Sequence, residues 1–143
     1  MSAQDNIAAA RRLLERGFGD GDLSVVDECV APDFIEHQNG SQGTGPVALK
    51  NVIKGLHDSF SDVKLTIDDV VAVGDDVWVR ARGTGHNDRP VMGRPPTGRD
   101  FEIDIIDVIR VRDGKMVAHW GVADRWGMIQ QLGLMADSPH RTA

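Results

Sequence analysis

The feature that most limits how this chain can fold is a change of hydrophobic period at Phe60. Before it, apolar residues recur at helical spacing, first Ile7, Ala10, Leu14 and Phe18, later Leu49, Val52, Ile53, Leu56 and Phe60. After it they alternate, with Val63, Leu65 and Ile67 separated by Lys64, Thr66 and Asp68. A period near 3.6 places one stripe of a helix in the core, and a period of two places one face of a strand there. Helices followed by a run of antiparallel strands predict a segregated α+β fold.

The punctuation refines this order. Ser2 is placed to cap a first helix with Asp5 three residues on, and Gly17, Gly19 and Gly21 are expected to end it. A short helix from Asp22 buries Leu23, Val26 and Val30, and Ala31-Pro32-Asp33 stops it before an extended Phe34-Ile35-Glu36-His37. Asn39 to Gly45 is a glycine-rich loop, Thr44 is the expected N-cap of a third helix, and Pro46 falls in its first turn. Strands are predicted over Val63–Asp68, Val70–Val73, Val77–Arg82, Asp100–Val111 and Lys115–Val122, then a short helix over Arg125–Leu132. No repeat, linker or composition shift appears. One domain is predicted over residues 1–143, with a mobile tail beyond about 136.

Composition narrows the classes of function. A net charge of −6 argues against nucleic acid or an anionic membrane as partner, since both need a basic surface. Asp5, Arg11, Arg12 and Glu15 interrupt any apolar run near the N-terminus, and no later run reaches membrane-spanning length, so a soluble, cytoplasmic protein is expected. Cys29, the one cysteine, lies among Val25, Val26 and Val30 and reads as a buried, inert thiol. The five histidines lack HxH or HxxxH spacing, and no phosphate loop or GxSxG elbow is present, so neither metal nor cofactor is expected.

The strand from Phe101 carries the most information. One face holds Phe101, Ile103, Ile105, Asp107, Ile109 and Val111, apolar except at Asp107. A carboxylate on a buried face must be paired, hydrogen-bonded or protonated. Its partner depends on the Asp113-Gly114 hairpin. A two-residue turn sets Asp107 opposite Trp120; a three-residue loop, Arg112-Asp113-Gly114, sets it opposite His119 and Ile105 opposite Gly121. The second register makes an Asp–His dyad.

Several segments then occur in an order that resembles the SnoaL-like polyketide cyclases of the nuclear transport factor 2-like superfamily. They are Ala31-Pro32-Asp33-Phe34, Thr44-Gly45-Pro46, His86, Gly93-Arg94-Pro95-Pro96-Thr97-Gly98-Arg99, Arg112-Asp113-Gly114-Lys115-Met116, His119 and Gln131-Leu132-Gly133. The resemblance implies a cone-shaped curved sheet wrapped by three N-terminal helices, a hydrophobic small-molecule substrate, and dimers or larger assemblies. It implies ring closure by intramolecular aldol chemistry with no metal or cofactor, using an aspartate on the last strand and a histidine on its neighbour. Matched by motif, that histidine falls at Asp107 and that aspartate at Gly121, where no side chain can take a proton. The resemblance selects the three-residue hairpin, because it needs positions 107 and 121 on one face.

The catalytic candidates are therefore Asp107 and His119. His37, Phe60, His86, Phe101, Ile103, Ile105 and Gly121 are expected to line the ligand pocket. The plain alternatives are an Asp107 ion pair with Arg80 or Arg82, and a core His119 satisfied by Asp107. Asp124 is expected to cap the last helix, His57 and His140 to face solvent, and Trp120 to lie on the outer face as a subunit contact.

Overall fold

The structure, a computed structural model, describes residues 2–38 and 43–135. The expected mobile tail, His140 and the middle of the glycine-rich loop lie outside the described residues. Helix α1 (Ala3–Arg12) starts at a Ser2–Asp5 capping box and runs directly into a π-helical segment, Leu13–Gly19. The chain thus continues through Gly17 and stops only after Gly19, two residues past the first expected break. Widening the helix here buries Leu13, Leu14 and Phe18 together. Helix α2 (Ser24–Cys29) is held at its start by the Asp22 carboxylate, which accepts from the Ser24 N–H and hydroxyl.

Val30, assigned from sequence to that helix, opens strand β1 (Val30–Glu36), so Ala31-Pro32-Asp33 lies within a strand. Strand β2 (Gly43–Thr44) leads into helix α3 (Gly45–Ser59), with Pro46 in its first turn as expected; Thr44 occupies the cap position without a side-chain bond. Strands β3 (Ser61–Val73), β4 (Asp76–His86), β5 (Asp100–Arg112) and β6 (Lys115–Ala123) follow, then helix α4 (Arg125–Leu132). The two runs after Phe60 are one strand, β3, bulged at Asp68. Asp124 caps α4 by accepting from the Gly127 N–H at 2.9 Å.

The six strands form one curved, open sheet in the order β2-β1-β6-β5-β4-β3, antiparallel except for the β1–β6 pair. Its inner face and the helices enclose two apolar clusters. The larger is built on Leu13, Phe34, Leu49, Ile53, Val77 and Ile109; the smaller gathers Phe60, Phe101, Ile103 and Leu132. Half-buried Ile105 packs against both.

The last hairpin corrects the sequence reading. Asp113 and Gly114, at φ of 51° and 75°, form a two-residue turn, and Arg112 pairs with Lys115. Positive φ at both central residues is the turn whose twist matches the flanking strands. Val111 pairs with Met116 but Arg110 with Ala118, which leaves Val117 bulged and offsets the rest of β6 by one residue. Asp107 therefore faces Gly121, not His119 and not Trp120, and His119 faces Ile109. The parity that the three-residue loop was expected to supply comes from the bulge instead. Deleting Val117 should consequently cost at least about 3 kcal/mol by returning His119 to the outer face, while Val117→Ala, which keeps the residue count, should cost under about 1 kcal/mol. Urea titration of both variants measures the difference.

Candidate functional site

Asp107, His119 and Glu36 meet on the inner face of the sheet. Each comes from a different strand. On β5, Asp107 interrupts an otherwise apolar buried row. On β6, the bulge at Val117 turns His119 inward. On β1, the alternation places Phe34 and Glu36 inside and Ile35 outside, and His37, just past the strand, is exposed. The parallel β1–β6 register sets Glu36 beside His119, and the His37 N–H donates to the His119 carbonyl at 2.9 Å.

The imidazole is bonded at both ends. Nε2 lies 3.0 Å from Asp107 Oδ1, and Nδ1 lies 2.9 and 3.0 Å from the two oxygens of Glu36. The three side chains are 1% (His119), 0% (Glu36) and 6% (Asp107) exposed. Burial pulls the imidazole toward its neutral form, but the hydrogen bonds to Asp107 and Glu36 and the charges of both outweigh it. The His119 pKa is raised to about 9. The raised pKa favours the doubly protonated ring, in which both nitrogens donate, so the imidazole is suited to act as an acid. Proton-accepting capacity resides in Asp107, whose Oδ2 has no donor among the described residues.

Gly121 is part of this geometry. A Cβ there would lie 2.7 Å from Asp107 Oδ1 and 3.1 Å from His119 Cε1. A side chain at 121 and the Asp107–His119 contact as it stands are mutually exclusive. Phe18, brought inward by the π-helical segment, sets its ring 5.6 Å from the imidazole. Among the described residues no group of three His, Cys, Asp or Glu side chains could hold a metal ion.

The alternative partners proposed for Asp107 are engaged elsewhere. Arg82 binds Asp68 and Glu102, and Arg80 lies 3.8 Å from Asp68. Cys29 is buried, and burial pushes its thiol pKa up, as expected of an inert thiol.

The predicted lining residues separate into four places. Gly121 and Ile105 lie on the face that holds the cluster. Phe60, Phe101 and Ile103 fill the smaller apolar cluster. His37 is exposed on the outer face, stacked on Trp120 at 4.7 Å, and does not line the cluster. His86 binds Asp100 at 2.6 Å and borders an open groove of about 710 Å³ with Asp62, Lys64, Glu102 and Gln131. Glu102 stands five positions before Asp107, roughly 17 Å along β5, so this groove is separate from the acid–imidazole cluster. His57, expected in solvent, is half-buried and bonds the Phe18 carbonyl through Nε2 at 2.8 Å.

Sequence reasoning missed Glu36. The available signal was its parity: an acidic residue two positions after Phe34, on the buried face of a short strand, poses the same question as Asp107.

Comparison with known proteins places the fold. The profile of the SnoaL-like polyketide cyclases matches residues 8–132. The chain is 29% identical to nogalonic acid methyl ester cyclase of Streptomyces nogalater over 120 residues, covering 81% of this chain and 89% of that protein. It is 31% identical to the aklanonic acid methyl ester cyclase DnrD of Streptomyces peucetius over 138 residues, covering 93% and 92%. Among solved structures, IdmH from Streptomyces antibioticus superposes with a TM-score of 0.77 at 35% identity, covering 91% of this chain and 97% of that one. With its curved sheet, its helical cover and a sequence that matches from the first helix to the last, the chain belongs to the SnoaL-like polyketide cyclase family.

Proposed function

We propose that this protein is a cofactor-independent cyclase whose base is Asp107 and whose acid is His119, acting on a polyketide-type ester with an acidic C–H. One observation carries the reading: a buried carboxylate with an unengaged oxygen, 3.0 Å from an imidazole whose pKa two carboxylates raise. Asp107 takes the proton from the acidic carbon, and the resulting carbanion attacks a carbonyl carbon of the same molecule to form the ring C–C bond. His119 Nε2–H protonates the new alkoxide. The proton on Asp107 then returns to Nε2 across the hydrogen bond, and the product has the composition of the substrate.

In this reading, the carboxylate that the family resemblance assigns to position 121 is delivered from position 107 across the strand pair. The space beside the imidazole supports it, since a side chain at 121 would occupy the same point. The methyl ester cyclases among the relatives support the substrate class. A second reading, a pocket that binds its ligand without chemistry, is favoured by Gly121, which carries no side chain where the family resemblance expects the base.

Turnover separates the two. Ring closure changes no mass, so product is followed by chromatographic retention and by deuterium uptake at the acidic carbon in D₂O. Asp107→Asn and His119→Gln, folded by circular dichroism, should each lose about 10²–10⁴-fold in rate. Wild-type turnover should decline as pH rises through about 9, where the acid is lost, and not near 6.5. Full activity in either variant removes the mechanism; ligand binding without exchange or product favours the second reading.

The outer face supports a second copy of this chain as partner. Val71, Trp78, Val108 and Trp120 are direct cross-strand neighbours, an apolar row across four strands, and Trp78 is 48% exposed. Exposed Ile106 and Val122 extend it on one side. Isolated monomers seldom expose such a patch. A two-fold axis along the row would set Arg80 of one copy over Asp76 of the other, because these residues flank Trp78 on the same strand. The protein should therefore be a dimer by light scattering, and Trp78→Glu should be a folded monomer. A monomeric wild type would reject this interface.

A further inference from the structure

We infer that Glu36 is a positioning residue for the acid–base pair, holding the His119 ring so that its second N–H points to the Asp107 side of the cluster, where the reaction takes place. The inference rests on the proposed mechanism for its consequence, but its physical part stands on geometry alone. Both carboxylate oxygens of Glu36 reach Nδ1, at 2.9 and 3.0 Å, and the side chain is fully buried. The carboxylate is itself fixed, since the Gln38 N–H donates to Oε1 at 2.7 Å. The strand is fixed in turn by the pairing of Glu36 with His119 and by the His37 N–H on the His119 carbonyl.

Three elements bring side chains against the ring. Strand β1 contributes Glu36, β5 contributes Asp107, and the π-helical segment contributes Phe18. Helix α3, which packs on β1, buries Leu49 and Ile53 and brings no charge inside. Among the described residues, no Lys or Arg pairs with Glu36 or Asp107. Two carboxylates therefore share one cation, the imidazolium. Glu36 takes Nδ1–H and leaves Nε2–H as the only proton that can move. With a neutral group at 36, Nδ1 has no counter-charge, and the ring is free to lose a proton or to adopt the other tautomer.

This separates roles that the sequence cannot assign. Asp107 touches the substrate, His119 transfers the proton, and Glu36 touches neither substrate nor reacting atoms. A packing role alone would leave the ionisation of His119 unchanged when Glu36 is replaced by its near-isosteric amide. A positioning role would not.

The test is a ¹⁵N-detected titration of the His119 ring in wild type, Glu36→Gln and Glu36→Asp, with pH–rate profiles of the same proteins. In wild type both ring nitrogens should stay protonated well above neutral pH. In Glu36→Gln the midpoint should drop by about one pH unit or more. The alkaline limb of kcat should move down with it, and kcat should fall about tenfold or more while KM stays within about threefold. Glu36→Asp, which keeps the charge, should recover most of the midpoint. Should Glu36→Gln fail to fold, the wild-type titration and Glu36→Asp carry the test. A wild-type ring that titrates near 6.5, or midpoints equal in wild type and Glu36→Gln, overturns the inference. Absence of turnover in wild type, with the midpoint shift intact, sinks the cyclase reading and leaves the positioning role standing.

Discussion

The structure depends on one imidazolium held between two carboxylates. Removing charge from water costs several kcal/mol per ion, and only close geometry with complete hydrogen bonding offsets it. His119 donates at both ends, Glu36 accepts with two oxygens, and Asp107 accepts with one. None of the three is stable there alone. Deleting one partner would leave an uncompensated buried charge, a loss of about 3–5 kcal/mol. That mutual dependence makes the cluster a constraint on strand register as well as a candidate for chemistry.

The register bears this out. A two-residue turn at Asp113-Gly114 without any irregularity would put His119 on the outer face with Asp107 opposite Trp120. The extra residue at Val117 reverses the parity of everything beyond it. The apolar face gains from the same shift. Trp120 moves to the outer row with Trp78, and Gly121 takes the inner position, where a Cβ would displace the Asp107 carboxylate from where it stands. One bulge thus satisfies the ion cluster, the core and the outer face together.

What was legible in the sequence was local. The period change at Phe60, the Ser2–Asp5 and Asp124 caps and the isolated acid on β5 are each decided within a few residues, and each is found in the structure. The inner-face meeting of Asp107 and His119 was also reached, though by the wrong hairpin. Met116-Val117-Ala118 is apolar at three successive positions, so no alternation marks where the bulge falls. Glu36 left only a weak signal, its parity with Phe34, for a related reason. It meets His119 through a parallel pairing across 83 residues of chain, and a short strand after a helix carries too few alternations to announce its buried face. Two of the expected lining residues stand away from the cluster. His37 and His86 were placed by motif, but which side of a twisted strand a residue occupies is set by pairing: His37 follows the outer row of β1, and His86 is drawn to Asp100 at the sheet's end.

Positions 107 and 121 are direct cross-strand partners, and the Cβ atoms of such partners lie roughly 5 Å apart. From that separation a carboxylate on either strand can reach the same point beside the imidazole, but both strands cannot supply one without collision. A glycine at 121 compared with its own column alone reads as a missing base. Compared with its neighbour across the strand pair, it is the residue that leaves the Asp107 carboxylate room to stand beside the imidazole. The unit in which a site on a curved sheet should be compared between relatives is therefore the cross-strand pair, because the pair fixes where the charge sits and the single position does not.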